Sequence, residues 1–397
     1  MNVRERIARR QSAHSGNALI TDRDHLSPVV HRSEPIGRGP AFEQLLDALE
    51  PVFEGELPPP VSVVGPPGSG TSALVVALFE ALNERFGEAS QPIGTSTRAG
   101  RAGPVTWFVY VDARRVQSEF AFYRAVLSVL STEPVPESGV GTDELRDRLQ
   151  RRLARHDRRA VVAIDHHDEP ETLSHDRARE LLDATSESVS VVAVGQTEPD
   201  GWDGQTVTVP AYRDHELVDV ITDRASTGLA PGTLDHEAVR SLAAWAEGNA
   251  HDALAALFGA AVRADESGAD QIEPHHLERA KADVPDDGVH VDRTLALPET
   301  RQQVLANLVA VDSADRPIRE VAADIASRSS LTAGTVKRFL YELADQDVLE
   351  RVSLPSSGHG RRPSSIELRF PTFVFRSLSS AADATVSVEI TDQDTDV

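Results

Sequence analysis

Apolar residues in this chain fall into short uninterrupted runs separated by longer stretches with helical spacing. Five runs read as strands: Val61–Val64, Val105–Val111, Ala160–Ile164, Val189–Val194 and Thr206–Val209. Between them, apolar residues recur three and four apart, as in Leu74, Val75, Leu78 and Leu82 or along Phe120–Leu130. Uninterrupted apolar runs fit strands buried on both faces. Their alternation with helices predicts an α/β fold with a parallel sheet and crossover helices. From Tyr212 to about Ala282 the strands stop. Helical patterns take over through Leu217, Val220 and Ile221, then Val239, Leu242 and Trp245, then Leu254 to Val262. Asp283–Gly288, with Pro285 among acidic residues, reads as a linker, and Gly87–Pro104 as an insertion loop.

A third unit follows. Val304, Leu305 and Leu308 mark one helix, Ile318, Val321, Ala322 and Ile325 a second, and Val336, Phe339, Leu340 and Leu343 a third, with Thr332 as its N-cap. Val348–Leu354, a polar tip and a returning run alternating Ile366, Leu368 and Phe370 predict a hairpin. Three helices and a hairpin predict a winged helix. The expected organisation is a polar tail (1–30), an α/β core (31–210), a helical unit (211–288), a winged helix (295–378) and an acidic tail (379–397), both tails being disordered.

The first strand leads into Gly65-Pro-Pro-Gly68-Ser69-Gly70-Thr71-Ser72-Ala73, and an amphipathic helix begins there. Glycines let backbone N–H groups approach phosphate oxygens, and the helix N-terminus adds positive partial charge. Ser72 stands where a hydroxyl would reach Mg²⁺, but position 71, where the phosphate-loop pattern needs lysine, is threonine. A hydrogen bond to a charged group is worth about 1.5–3 kcal/mol, so this loss weakens nucleotide binding about tenfold to a hundredfold. The competing reading is a strand–turn–helix connection that no longer binds phosphate.

Ala160–Ile164 ends in Asp165, the form of a strand whose carboxylate holds Mg²⁺ beside a phosphate loop. The next residue, expected as a water-polarising glutamate, is His166. His166, His167 and Asp168 also allow a metal site, but neighbours on a strand point to opposite faces and no distant ligand stands out. Solvated histidines at a strand end is the reading preferred here.

Composition adds two points. The chain has 397 residues, no cysteine and a formal net charge of −23. Its only lysines are Lys281 and Lys337. Dense carboxylates with almost no lysine match proteins adapted to molar salt, where the Debye length shrinks to about 3 Å and self-repulsion is screened; an acidic protein of an ordinary cell is the alternative. Without cysteine there is no disulfide, thiolate zinc site or cysteine nucleophile. No membrane-length apolar run or secretory signal is evident, so the expected location is the cytoplasm. In so acidic a chain, the basic residues of the third unit stand out. Thr335, Lys337, Arg338 and Tyr341 lie on the outward face of the third helix, with Arg361 and Arg362 at the wing tip. That arrangement predicts docking on double-stranded DNA, against a winged helix used for protein contact.

On these motifs the chain resembles the archaeal origin-recognition initiators, AAA+ proteins of DNA replication, from about Pro35 to Leu378. Ile36-Gly-Arg38 and the helix after it look like the family's segment over the adenine. Tyr212, with Arg224 twelve residues later, is similar to the entry into its helical lid, where both lie at the nucleotide. The resemblance implies ATP or ADP with Mg²⁺ as cofactor, and initiator paralogues or the replicative helicase as partners. It also implies that Gln196 replaces a sensor asparagine and His251 a sensor arginine. Thr71, His166, Gln196 and His251 thus stand at four positions that would act on the γ-phosphate. Their loss implies binding that is weak or structural, or lost altogether, with little or no hydrolysis. The alternatives are an active switch ATPase and a regulatory scaffold pairing with active paralogues.

Overall fold

The computed structural model describes residues 18–87, 104–311, 313, 315–355 and 362–379. Two compact units are formed, one from His31–Tyr212 and one from the segment up to Val30 together with the chain from Arg213 onward. The insertion loop, apart from its two flanking residues, lies outside the described residues, as do Arg361 and residues 380–397.

The first unit is built on five parallel strands, β1 (Val61–Val64), β2 (Val105–Asp112), β3 (Arg158–Asp165), β4 (Val189–Gly195) and β5 (Gln205–Thr208). Their order across the sheet is β2-β3-β4-β1-β5, so β1 lies between β4 and β5. The period-two alternation of side chains sorts the apolar runs into two cores. Phe108, Val161, Ala163, Val192 and Val194 face one side with Leu74, Leu78 and Phe79 of the helix Thr71–Phe86 (α1). Trp107, Val109, Val162, Ile164 and Val191 face the other, with Phe122, Tyr123 and Val126 of Glu119–Leu130 (α2) and Leu145 and Leu149 of Thr142–Leu153 (α3). Burial on both faces explains why the strands read as continuous apolar runs.

In the second unit, α4 (Asp214–Gly228), α5 (His236–Trp245), α6 (Ala250–Glu266) and α7 (Pro274–Ala282) form the helical stretch. Helix α6 is buried along most of its length, from Ala253 through Ala264, and is the helix around which this unit packs. Farther along come α8 (Glu299–Val309), α9 (Ile318–Ser327) and α10 (Ala333–Asp345), then the antiparallel pair β6 (Leu349–Ser353) and β7 (Ser364–Leu368). Thr332 caps α10 by accepting from the Thr335 N–H at 3.2 Å.

Three expectations need correction. Residues 18–30 belong to the folded unit: Leu19 and Leu26 are buried, and Ile20 bridges to Leu229. The buried positions, Leu19 and Leu26 to Pro28, follow neither a helical nor a strand period, which hid the segment. The linker Asp283–Gly288 is anchored, because the Asp283 carboxylate accepts from the Thr372 hydroxyl and the Phe373 N–H. A last helix over residues 372–379, absent from the pattern-based reading, lies against α6, with the Arg263 guanidinium 3.7 Å from the Phe373 ring centroid. No helix among the described residues is long and apolar enough to cross a membrane.

Candidate functional site

The loop between β1 and α1 has the backbone shape that phosphate binding requires. Gly68 and Gly70 adopt φ of 70° and 83°, the left-handed region open to glycine, and Gly70 is the N-cap of α1. A side chain at Gly65 would sit 2.4 Å from the Val209 carbonyl oxygen and 2.5 Å from Ser69 Oγ. The loop is therefore tightly folded, with Ser69 fully buried and Thr71, Ser72 and Ala73 half-buried in the first turn of α1. The Ser69 hydroxyl has no hydrogen-bond partner among the described residues. Arg38 lies over this loop. It is 3 % exposed, its guanidinium carbon is 3.3 Å from the Tyr212 ring centroid, and its Nε lies 3.7 Å from where a Gly70 Cβ would be.

Asp165, at the C-terminal end of β3, is 1 % exposed and already engaged. Its Oδ2 accepts from the Tyr110 hydroxyl at 2.5 Å, and its Oδ1 from the His166 N–H at 2.8 Å. Burial pushes the Tyr110 phenol well above its ordinary range, with the Asp165 and Asp112 charges acting the same way. The His166 ring lies between two carboxylates, Nε2 3.5 Å from Asp165 Oδ2 and Nδ1 3.0 Å from Glu169 Oε1. Burial opposes a charge on this ring, but Asp165 and Glu169 outweigh it and raise its pKa from 6.5 to about 9. At neutral pH the ring is thus a cation and is not available to accept a proton.

The expectation of solvated histidines is therefore corrected. His166 is half-buried and ion-paired, and His167 is buried, its ring 6.0 Å from that of His175. Asp168 is spent on backbone: its Oδ2 accepts from the N–H groups of Gln196 and Thr197 and ties the end of β4 to the turn after β3. The Gln196 side chain is exposed.

In the second unit, Arg224 is buried, and its guanidinium donates to the carbonyls of His25 at 3.1 Å and Val30 at 2.8 Å, with Ser27 at 3.5 Å. His251 is buried and stacks on His290 with ring centroids 3.9 Å apart, its Nε2 accepting from the Val291 N–H. His251, His290 and Asp292 have donor atoms within 4.8 Å of one another, the one such metal-ligand group among the described residues.

On α10, Lys337 and Arg338 are exposed and Thr335 and Tyr341 half-buried. Lys337 Nζ and the Arg351 guanidinium both lie over the Tyr341 ring, at 5.7 and 4.7 Å from its centroid. Arg362 is exposed just before β7. Glu342 tempers this basic face, with Arg338 Nε 3.6 Å away and Arg301 at 2.9 Å.

Residues 34–194 match the AAA ATPase domain family and residues 218–282 the Cdc6 AAA+ ATPase-type lid domain. An ORC1-type DNA replication protein of Pyrococcus furiosus is 23% identical over 379 residues, covering 88% of this chain and 86% of the relative. The chain belongs to the archaeal origin-recognition AAA+ family. ORC1-type DNA replication protein 6 of Halobacterium salinarum is 23% identical over 342 residues, 81% of this chain and 85% of that one. The Aeropyrum pernix ORC1 protein, solved in complex with DNA, shares the fold with a TM-score of 0.60 at 20% identity, over 94% of this chain and 100% of that chain. Cdc6p from Pyrobaculum aerophilum gives 0.53 at 17% identity, over 92% and 98%.

AAA+ origin-recognition proteins imply a nucleotide with Mg²⁺, and the two fit this chain unequally. A phosphate fits the loop, where left-handed glycines, a helix N-terminus and a buried guanidinium converge. Mg²⁺ fits poorly. Of its expected ligands, Ser72 offers one neutral hydroxyl, and the Asp165 carboxylate is enclosed by the Tyr110 hydroxyl and faces a cationic imidazole. Arg38, Tyr110 and Arg351 were not singled out as site residues from sequence. Tyr110, near the end of β2, carried strand-end position as a usable signal, whereas Arg351, the middle residue of β6, carried none.

Proposed function

We propose that this chain is an initiator-type protein of DNA replication that docks on duplex DNA through a C-terminal winged helix. Its AAA+ core holds ATP or ADP as a structural or signalling ligand and does not turn it over. The observation that carries the second half is the placement of His166 between Asp165 and Glu169. A cation pinned where a base is needed, with threonine in place of the phosphate-loop lysine, leaves no group to activate water and removes charge from the γ-phosphate. The fold has kept what shapes the pocket and lost what acts on it.

The DNA half rests on Lys337 and Arg351, which share the Tyr341 ring, and on the exposed Arg338 and Arg362 of α10 and the hairpin, in a chain of net charge −23. A helix cap at Thr332 and basic side chains on both α10 and the hairpin suit a helix in the major groove with flanking phosphate contacts. The Aeropyrum relative was solved with DNA, which supports the same use here. Initiator paralogues and the replicative helicase are the partners that this role implies, in a cytoplasm of molar salt.

Equilibrium binding of ATP and ADP at molar KCl, steady-state hydrolysis, and anisotropy of labelled duplex DNA test the proposal together. Nucleotide and DNA binding without hydrolysis supports it. Turnover at the rate of an ordinary AAA+ ATPase overturns the nucleotide half, and absence of duplex binding overturns the DNA half.

A further inference from the structure

Arg38 carries two unusual features at once. It is 3 % exposed, yet its Nε and Nη2 have no hydrogen-bond partner among the described residues. A buried guanidinium with unpaired N–H groups is costly, because the charge has left water without gaining an acceptor. Its placement is also specific. The guanidinium carbon lies 3.3 Å from the Tyr212 centroid, so the ring covers one face of the cation and leaves its N–H groups for acceptors at its edge. Beyond that edge is Gly70, the left-handed N-cap of α1, and Thr71 follows directly. The Ser69 hydroxyl, fully buried and also without a partner, sits in the same loop.

We propose that Arg38 supplies the cation that Thr71 does not, so that the phosphates of a nucleoside di- or triphosphate seat between the backbone N–H groups of the loop and the Arg38 guanidinium. The inference rests on the reading that the core holds nucleotide, and it names the residue that makes binding possible without the lysine. Lysine reaches a phosphate as a flexible point charge from the loop. Arg38 reaches it from the segment before the first helix of the core, held by a stack, with a planar fork that takes two oxygens at once. Tyr212 is then a positioning residue that sets the plane of the fork. Such a site recognises the polyphosphate more than the base, and it needs no divalent ion to bring a positive charge to the phosphates.

The test is equilibrium binding of ADP, inorganic pyrophosphate and adenosine, at molar KCl with EDTA, to the full chain and its Arg38→Gln variant. ADP and pyrophosphate affinity should fall about tenfold to a hundredfold in the variant, while adenosine binding stays as it was. A second variant guards against a folding defect: Thr71→Lys added to Arg38→Gln returns the missing charge from the loop side and should restore at least a tenfold gain for both phosphates. Equal ADP binding by wild type and Arg38→Gln overturns the role of Arg38 and leaves the nucleotide reading standing. A parallel loss of adenosine binding, or no rescue by Thr71→Lys, makes Arg38 structural and also overturns it. A wild type that binds neither ADP nor pyrophosphate at millimolar concentration overturns both.

Discussion

His166 and Asp165 are consecutive residues that fold back on one another, the His166 N–H donating to Asp165 Oδ1 while its ring faces Oδ2 at 3.5 Å. The backbone allows this because His166 has a φ of 60°, a left-handed conformation that histidine and asparagine tolerate better than most residues. The ring then closes on Glu169 through Nδ1. The strand end that would serve catalysis in an active enzyme is here an internal ion pair.

The first prediction follows from that pair. Asp165, Glu169 and Arg114 are the charged groups that face the ring, with the Tyr110 hydroxyl on the other side of Asp165. The folded-state pKa of about 9 lies above the ordinary 6.5, so the stabilisation is fully present below pH 6.5 and is lost as pH rises through 9. A shift of that size corresponds to about 3 kcal/mol at most. Denaturant titrations of wild type and His166→Asn, which keeps the left-handed backbone, should differ most at pH 6 and converge by pH 10. A difference that does not change with pH would mean that the ring is neutral.

A second prediction concerns turnover. Thr71→Lys with His166→Glu returns the lysine and the glutamate, but Tyr110 still holds the Asp165 carboxylate. Hydrolysis by the double variant should stay at the wild-type background. Adding Tyr110→Phe frees Asp165 and is the first combination from which Mg²⁺-dependent turnover is expected. Recovery in the double variant alone, measured as phosphate release, would show a pocket only weakened.

The sheet was legible from sequence because both of its faces are buried, which turns Val105–Val111 and Ala160–Ile164 into apolar runs that nothing else explains. The phosphate loop was legible because three glycines sit at fixed spacing before a helix. The fate of Asp165 was not, since its partner Tyr110 comes from the neighbouring strand through the register that pairs Tyr110 with Ala163 and Asp112 with Asp165. Local spacing cannot reveal a contact that arises from strand pairing. In sequence Arg38 resembles part of a segment over the adenine, and only the stack on Tyr212, 174 residues later, turns it toward Gly70.

The basic face on α10 and the hairpin gives a third prediction. Lys337 and Arg351 share the Tyr341 ring, so each is held in place without a carboxylate on that ring. Used as phosphate contacts, Lys337→Ala and Arg351→Ala should each weaken duplex binding on all sequences and lower the slope of log K against log salt by about 1. Arg338 is partly neutralised by Glu342, and its replacement should cost less. Anisotropy titrations across a range of KCl concentrations separate these outcomes, and an unchanged slope in both variants would point to protein contact instead of DNA.

Arg224 separates a structural role from a nucleotide role. The guanidinium donates to the carbonyls of His25 and Val30, and the helix that carries it also packs Gly228 against Leu26, where even a methyl group would come within 2.4 Å. Removing the donors leaves these half-buried carbonyls without the charged partner that holds residues 25–30 on the helix, at a cost of about 1–3 kcal/mol. Arg224→Met should therefore lower the melting temperature of the nucleotide-free protein by several degrees, and Arg224→Lys, which keeps a donor, by less. Proteolysis should cut the Arg224→Met chain near residues 18–30 faster than wild type, since Leu26 and its neighbours would lose their tether. If Arg224→Met melts like wild type without nucleotide and differs only when ADP is added, the arginine serves the nucleotide, and the carbonyl contacts are incidental.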